Sequence, residues 1–272
     1  MKKTVILPAL ILYLMLTALP IRAAAGITVY LEGRAAAGGS QCALIDGTSY
    51  LPLRTAADFY GGSLQWDART RTARYQTDGL TLEAADGQPC ILANGRALYA
   101  PQGIFIQNGR LMIPARLLAQ ALGGTARWDG HSRSVSIAMG SQKITPAGSH
   151  YDADALYWLS RIISAESRGE PLEGQIAVGN VVLNRVRSQN YPDTIWGVIF
   201  DRKHGVQFEP VLNGTVYDAP APISVTAAKL CLEGVDLSRG SLYFYNPVLA
   251  QSSWIGQNCT YVMTIGTHRF YI

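Results

Sequence analysis

An internal repeat is the feature of the sequence that most restricts its fold. The segment Asp46–Arg54 (DGTSYLPLR) returns as Asn108–Arg116 (NGRLMIPAR), and Gly61–Asp67 (GGSLQWD) returns as Gly123–Asp129 (GGTARWD), always 62 residues later and without a gap. Asp-Gly and Asn-Gly pairs favour tight turns, and Gly-Gly favours a second turn. Each copy therefore predicts a turn, a strand ending in Pro-x-Arg, a helix, a turn and a strand entered through Trp-Asp.

The repeat also predicts where its regular elements lie. Helices are expected at Thr55–Tyr60 and Leu117–Leu122, and strands after the tryptophans at Thr72–Gln76 and Ser134–Ala138. Over about residues 27–140 the repeat resembles the domain named after the N-terminus of copper amine oxidases. That domain is often found in exported bacterial proteins beside wall-acting domains. The resemblance suggests wall tethering or dimerisation as a hypothesis for this half.

Two residue types in the repeat bear on binding. His131 is the only histidine of the span, and one histidine does not make a copper site, so none is expected. The tryptophans at the repeated position, Trp66 and Trp128, are predicted to be core residues, with sugar stacking as the alternative.

The first 25 residues have the pattern of a secretory signal peptide. A charged start is followed by the apolar run Val5–Leu19 and then by small residues ending at Ala25. Cleavage after Ala25 predicts a secreted protein. The alternative is an uncleaved anchor, which Pro8 and the shortness of the run disfavour. No membrane span is expected after cleavage.

Charge and cysteines exclude several classes of function. Without residues 1–25 the formal charge falls from +4 to +1, because Lys2, Lys3 and Arg22 are lost. With no basic tract, no nucleic-acid partner is expected. The cysteines allow two disulfides, Cys42–Cys90 and Cys231–Cys259, or four buried free thiols. None has metal-binding spacing, and no metal or cofactor is expected.

The turn-rich segment Gly140–His150 predicts a boundary between a repeat domain, residues 26–145, and a second domain, residues 150–272. Periodicity and turn residues predict the elements of the second domain. They are helices at Ala155–Gly169, Pro171–Arg187, Thr194–Phe200 and Ser224–Glu233, a strand in Ser241–Pro247, and a hairpin in Tyr261–Tyr271 that turns at Gly266 and Thr267.

Glu166 is the candidate catalytic residue. At 100° per residue, Ala155, Leu159, Ile162, Ile163 and Glu166 fall on one side of the first helix. A carboxyl group at the end of an apolar stripe has its charged form disfavoured, so its pKa rises and it suits a general acid. The alternative is a last-turn residue that points to water.

The second domain contains six ordered motifs: AESRGEP at 165–171, EGQIAV at 173–178, VLNRV at 182–186, QF at 207–208, YFYNP at 243–247 and GTHRFY at 266–271. Together, over about residues 155–272, they resemble the cell wall hydrolase family of the spore cortex-lytic enzymes (the SleB type). The resemblance implies an α+β fold, with a lysozyme-like, lytic transglycosylase-like catalytic domain after a smaller α+β repeat domain. It also implies cleavage between muramic acid and glucosamine in peptidoglycan, with the family's catalytic glutamate at Glu166.

Five residues of these motifs are candidates for substrate binding: Gln207, Tyr243, Tyr245, Asn246 and His268. Amide and phenol groups suit recognition of N-acetyl and hydroxyl groups, and aromatic faces suit sugar rings. The alternatives are core packing for the tyrosines, a turn for Asn246 and a structural hydrogen bond for His268.

Glu209 departs from the family, which commonly has serine after Gln-Phe. It is a further substrate-binding candidate, as a second acid in the cleft. The alternative is an exposed loop acid. If Glu166 acts alone, it protonates the glycosidic oxygen and then takes a proton from the C6 hydroxyl of the sugar, which gives a 1,6-anhydro product. A hydrolase normally needs a second carboxylate to activate water.

The predicted function is cleavage of peptidoglycan glycan strands by a lytic transglycosylase, with the cell wall or spore cortex as partner. A water-using muramidase or glucosaminidase is the alternative within enzymes. A non-catalytic wall-binding protein is the alternative from another class.

Overall fold

The computed structural model describes residues 26–203, 205–250 and 254–272. The predicted signal peptide, residues 1–25, lies outside the described residues. The repeat domain consists of short strands and two helices: β1 Thr28–Leu31, β2 Arg34–Ala37, β3 Ala43–Ile45, β4 Thr48–Pro52, α1 Leu53–Tyr60, β5 Ser63–Asp67, β6 Thr72–Thr77, β7 Leu80–Ala85, β8 Cys90–Ala93, β9 Arg96–Tyr99, β10 Phe105–Gln107, β11 Arg110–Pro114, α2 Ala115–Ala121, β12 Thr125–Asp129 and β13 Ser134–Ala138.

The two repeats are related by approximate two-fold symmetry. Their central strands, β4 and β11, pair antiparallel in the sheet β10-β11-β4-β3. Leu51 lies opposite Ile113, which is its own counterpart 62 residues later. A pairing centred on equivalent residues maps onto itself when the repeats are exchanged. The predicted helices are confirmed, and each begins two residues earlier than expected because Pro52 and Pro114 are the N-caps.

The repeats differ in how the sheet continues beyond β6 and beyond its equivalent in the second repeat, β13. In the first repeat, β6 continues into the antiparallel sheet β5-β6-β7-β8-β9. In the second repeat, β13 pairs instead with β1, in parallel. The sequence reading placed no strands between residues 80 and 99, because this insertion has no counterpart in the other repeat.

The core assignment of the repeated tryptophans is wrong. Trp66 and Trp128 are 47% and 45% exposed. They lie on β5 and β12, each of which is the edge strand of its sheet. An edge strand has a neighbour on one side only, so each tryptophan is left about half exposed there.

The C-terminal half is mainly helical and ends in a small sheet. Its elements are α3 Ala147–His150, α4 Ala153–Ser167, α5 Leu172–Arg187, α6 Ile195–Ile199, α7 Pro210–Asn213, α8 Pro222–Leu232, β14 Tyr243–Tyr245, α9 Trp254–Asn258, β15 Tyr261–Ile265 and β16 His268–Tyr271. The strands form the antiparallel sheet β14-β16-β15. The predicted α+β class, with a helical C-terminal domain after a β-rich domain, is confirmed. No helix in the described part of the chain is long and apolar enough to cross a membrane.

Helices α4, α5 and α8 pack together to form the core of this half. Gly179 of α5 lies where the three helices meet. A Cβ atom there would lie 2.6 Å from Ile163 Cδ1 and 2.8 Å from Cys231 Sγ, closer than packed atoms approach. Glycine at this position therefore allows the helix that carries Glu166 to lie directly against α5.

The two halves share an interface built around Glu233, the residue after α8. Arg96 of β9 forms a two-point ion pair with this carboxylate, at 2.8 Å from Nε and 2.6 Å from Nη2. Tyr151 donates to the same carboxylate at 2.7 Å and accepts from the amide of Ala97 at 3.1 Å. Cys90 and Ala97 join the apolar cluster of the helices. The helical half is thus docked on the repeat domain. The domain limits, residues 26–145 and 150–272, stay a prediction.

The four cysteines are free thiols, so the disulfides Cys42–Cys90 and Cys231–Cys259 are wrong. Cys42 lies in the repeat-domain core, whereas Cys90 lies in the cluster shared with the helices. Burial raises the pKa of both thiols to about 11, which keeps them protonated near neutral pH. The thiols act as small apolar groups in the core, apart from the half-buried Cys259.

Candidate active site

Helix α4 places Glu166 at the end of a buried apolar stripe. The helix begins at its N-cap Asp152, whose side chain accepts from the amide of Ala155 at 2.8 Å. Leu159, Ile162 and Ile163 of the stripe are fully buried. Glu166 is half-buried in the last turn and stands on the same side of the helix as the stripe. It is therefore shielded by apolar groups below while its outer side stays accessible.

The carboxyl group of Glu166 is tuned toward the protonated form. Its pKa rises from 4.5 to about 7, first because of burial and then because of the negative charge of Glu209. The guanidinium of Arg185 acts in the opposite direction. Within the described residues, no hydrogen bond or ion pair engages this carboxyl group. A free carboxyl with a pKa near 7 can donate a proton at neutral pH and take one back.

Glu209 stands beside Glu166 on a different element. It is exposed and directly precedes α7, a short helix that packs against α4, while its neighbour Phe208 is buried. Its charge is close enough to raise the pKa of Glu166. The two carboxyl groups thus have different environments, one against apolar residues and one in water. Whether Glu209 acts as a second acid stays a prediction.

Arg185 provides a buried positive charge whose field acts on Glu166. It is 5% exposed and donates from Nε to the carbonyl of Leu242 at 2.8 Å. Its guanidinium carbon lies 5.1, 5.2 and 5.6 Å from the ring centres of Tyr191, Phe208 and Tyr243. Arginine stays charged even when buried. Aromatic faces and one carbonyl hold the cation, and its field lowers the cost of ionising Glu166.

Gln207 and Tyr243 both lie against Arg185, whose charge acts on Glu166. Gln207 Oε1 accepts from Arg185 Nη1 at 3.5 Å, and its Nε2 donates to the carbonyl of Gly205 at 3.1 Å. Burial raises the pKa of Tyr191 to about 12, and a hydrogen bond with Tyr243 adds to the rise. Tyr191 therefore presents a neutral phenol group beside Arg185.

Asn246 and His268 belong to a second cluster, built around Glu170. Asn246 Nδ2 donates to Thr267 Oγ1 at 3.0 Å. Glu170 accepts from the amide of Thr267 at 2.9 Å and from its hydroxyl group. His268 is buried, with Nδ1 3.6 Å from Glu170 Oε1 and its ring against Phe244. Asn246 also accepts from the amide of Val248 at 2.9 Å, as in a turn, whereas Nδ1 of His268 has no hydrogen-bond partner among the described residues. Their binding roles stay predictions.

The electrostatics of this second cluster are opposite to those of Glu166. Burial by itself would raise the pKa of Glu170, but the hydrogen bonds from Thr267 and the nearby His268 hold it below its ordinary value. Burial lowers the pKa of His268, and the charge of Glu170 offsets part of the effect. The cluster ties the β15–β16 turn to the loop after α4 and has a structural character.

Tyr245 lies between the two clusters on β14. Its ring stacks on Tyr271 with centres 5.5 Å apart, and its hydroxyl oxygen accepts from Tyr271 at 3.4 Å. Tyr243 and Tyr245 are two residues apart and lie on the same face of β14, with Tyr243 near Arg185 and Tyr245 against Tyr271 of β16. Sequence reasoning missed Arg185, Tyr191 and Glu170. Nothing in the sequence next to such a residue shows which distant residues will pack against it.

Residues 169–271 match the family described as Cell Wall Hydrolase. The C-terminal domain belongs to the cell wall hydrolase family. Residues 30–137 match the copper amine oxidase N-terminal domain. The cell wall hydrolase match begins just after α4, so Glu166 itself lies outside the matched range.

Curated relatives are spore cortex-lytic enzymes. That of Halalkalibacterium halodurans is 35% identical over 129 residues, which are 47% of this chain and 38% of the relative. That of Oceanobacillus iheyensis is 34% identical over 156 residues, 54% of each protein. The chain thus spans about half or less of the length of these relatives. The solved catalytic domain of the germination-specific lytic transglycosylase SleB from Bacillus anthracis is 35% identical, with 47% of this chain and 100% of that chain covered and a TM-score of 0.42.

Proposed function

We propose that this protein cuts the glycan strands of peptidoglycan as a lytic transglycosylase, with Glu166 as acid and then base. One observation carries the proposal: a half-buried carboxyl group with a pKa of about 7, which no hydrogen bond from the described residues engages, stands just before the segment that matches the cell wall hydrolase family. The names of the curated relatives and of the solved catalytic domain support the same class of substrate and reaction.

The proposed reaction uses one carboxyl group twice. Protonated Glu166 donates its proton to the glycosidic oxygen, the bond to C1 of the muramic sugar breaks, and C1 becomes oxocarbenium-like. The Glu166 carboxylate then takes the proton of the C6 hydroxyl, whose oxygen bonds to C1. The product is a 1,6-anhydro sugar, and Glu166 is protonated again. No water is consumed.

Two neighbouring charges fit the two halves of this cycle. Glu209 favours the protonated acid that the first step needs, and Arg185 favours the carboxylate that the second step needs. Their opposition keeps the pKa near neutral, where a group that both gives and takes a proton works best. Gln207 and Tyr243 lie beside Arg185, and in this proposal they orient sugar hydroxyl and N-acetyl groups.

A water-using glycosidase is the second candidate, because Glu209 supplies a second carboxylate whose charge acts on Glu166. In that reaction Glu209 takes a proton from water, and the product has an ordinary reducing end. The two reactions differ in mass by one water per cut.

Mass spectrometry of released muropeptides tests the proposal. Purified vegetative sacculi and spore cortex are digested separately, with the Glu166→Gln protein as control. We expect 1,6-anhydromuramic ends from at least one substrate and none from the control. Products with reducing ends alone would overturn the transglycosylase reaction in favour of the Glu209 route. Equal release by the control would overturn the role of Glu166.

A further inference from the structure

The repeat domain contains two clefts at equivalent positions. The first cleft is lined by Arg54 and Trp66 of one repeat and by the turn at Gly109 of the other, and its volume is about 440 Å³. The second cleft is lined by Arg116 and Trp128, with the turn at Gly47 opposite, and its volume is about 270 Å³. Each pair of equivalent residues is 62 positions apart. The approximate two-fold symmetry therefore builds the same cleft twice, each time from both repeats.

The tryptophan and arginine side chains of these clefts are not packed in the core. Trp66 and Trp128 are about half exposed on edge strands. Arg54 and Arg116 are exposed, and among the described residues neither has an ion-pair or hydrogen-bonding partner. Burying an indole face is favourable, so leaving two equivalent tryptophans and two equivalent unpaired arginines at the surface suggests a ligand.

The combination of groups indicates the chemistry of that ligand. An exposed indole face stacks on the apolar face of a sugar ring, and a guanidinium binds carboxylates. No Asp or Glu lines either cleft. Asp67 and Asp129, next to the tryptophans, instead accept from the turn amides of Arg69 and His131. The clefts thus combine an aromatic face with uncompensated positive charge.

We propose that the two clefts bind a glycan strand of amino sugars with carboxylate-bearing substituents, namely peptidoglycan. The identity of this ligand rests on the proposed function. A polymer of one repeating unit presents the same group many times, so two equivalent clefts can engage one strand at two places. Bivalent attachment strengthens binding without any new contact. The repeat domain then holds the wall polymer while the docked helical domain cuts it.

The two clefts are not identical. Arg110 lines the first cleft, whereas Thr48 holds the equivalent position in the second. The first cleft therefore carries two guanidinium groups and the second carries one. We expect the first cleft to contribute more to the binding of an anionic strand and to depend more strongly on salt.

Sedimentation of the full chain with insoluble sacculi tests this proposal. The Glu166→Gln protein serves as the parent, so that the polymer is not cut during the assay. Trp66→Ala or Trp128→Ala alone is expected to weaken binding about tenfold, and both together about a hundredfold. Met139→Ala is the matched control, because Met139 is an exposed apolar residue of the same domain that lines neither cleft. Melting temperatures check that each variant folds.

A second pair of variants tests the charge. Arg54→Gln with Arg116→Gln is expected to weaken sedimentation with sacculi but not with chitin, a neutral polymer of N-acetylglucosamine. Sedimentation of the double tryptophan variant at the level of the parent would overturn the proposal, as would a parent that does not sediment. A parent dimer that the tryptophan variants dissociate would also overturn it, since the clefts would then hold a second copy. This assay measures binding without cleavage. Its outcome therefore does not depend on whether the protein is a lytic transglycosylase.

Discussion

Glu166 and Glu170 lie four residues apart at the end of one helix, yet their carboxyl groups behave in opposite ways. Both are shielded from water, and the side chain of Glu170 is only 9% exposed. Glu170 receives hydrogen bonds from Thr267 and faces His268, and its pKa is lowered. Glu166 receives none from the described residues, and its pKa is raised to about 7. Donors, more than burial, separate a structural carboxylate from a candidate acid.

Replacing the acid is expected to have the largest effect. Glu166→Gln keeps the shape of the side chain and removes the proton, so cleavage of sacculi should fall at least about a hundredfold. The folded-state pKa lies above the ordinary value of 4.5, so wild type loses stability as pH rises from 4.5 through 7. The variant avoids this loss and should unfold at higher temperature than wild type at pH 8, but not at pH 4. Equal activity, or a less stable variant at pH 8, would contradict the assignment.

Replacing Glu170 should instead cost stability. Glu170→Gln loses charge-assisted hydrogen bonds to Thr267 and the charge that faces His268, which should lower the free energy of unfolding by about 1–3 kcal/mol. Because the pKa of Glu170 is lowered, this contribution is present above pH 4.5 and is lost as pH falls through the folded-state value. Denaturant titrations at pH 7 and pH 3 measure this loss of unfolding free energy and its dependence on pH.

The matched control is Glu173→Gln, since Glu173 makes no hydrogen bond or ion pair with the described residues. We expect its unfolding free energy to stay close to that of wild type. The comparison between Glu166 and Glu170 would break if Glu170→Gln abolished cleavage while leaving the melting temperature unchanged.

The smallest expected effect sharpens the electrostatics of Glu166. Glu209→Gln removes a negative charge that raises the pKa of Glu166, so the pH at which kcat/KM falls on the alkaline side should move down by about 0.5 unit. Asp218→Asn, at another exposed acid, is the control and should leave the profile unmoved. A loss of all cleavage in Glu209→Gln, rather than a shifted profile, would favour the water-using reaction.

Much of the fold follows from local signals. Asp46 and Asn108 adopt the left-handed conformation that Asx-Gly turns require, and β13 begins and ends where the repeat predicts. Thr194 caps α6 by accepting from the amide of Gly197 at 3.0 Å. The terminal hairpin turns at Gly266 and Thr267 as expected. Turns, caps and helix faces depend on neighbouring residues, so they can be read along the chain.

Part of the candidate site follows from the same signals. The position of Glu166 at the end of an apolar stripe is a property of helical spacing, and the stripe is buried as predicted. The charges that tune it come from Arg185 and Glu209, which lie on other elements. Sequence spacing could not place them, because the approach of α4 to α5 and α7 is set by packing.

By itself, the sequence determined the repeated unit, the α+β class, the family of the C-terminal domain and the helix face that carries Glu166. Tertiary structure alone decided that Trp66 and Trp128 stay exposed, that the thiols stay unpaired and that Arg185 lies buried beside the acid. It also decided that Thr267 donates to Glu170 and leaves Glu166 free. The physical reason is that exposure, hydrogen-bond donors and fields depend on residues distant in the chain, whereas periodicity and turns depend on residues next to one another.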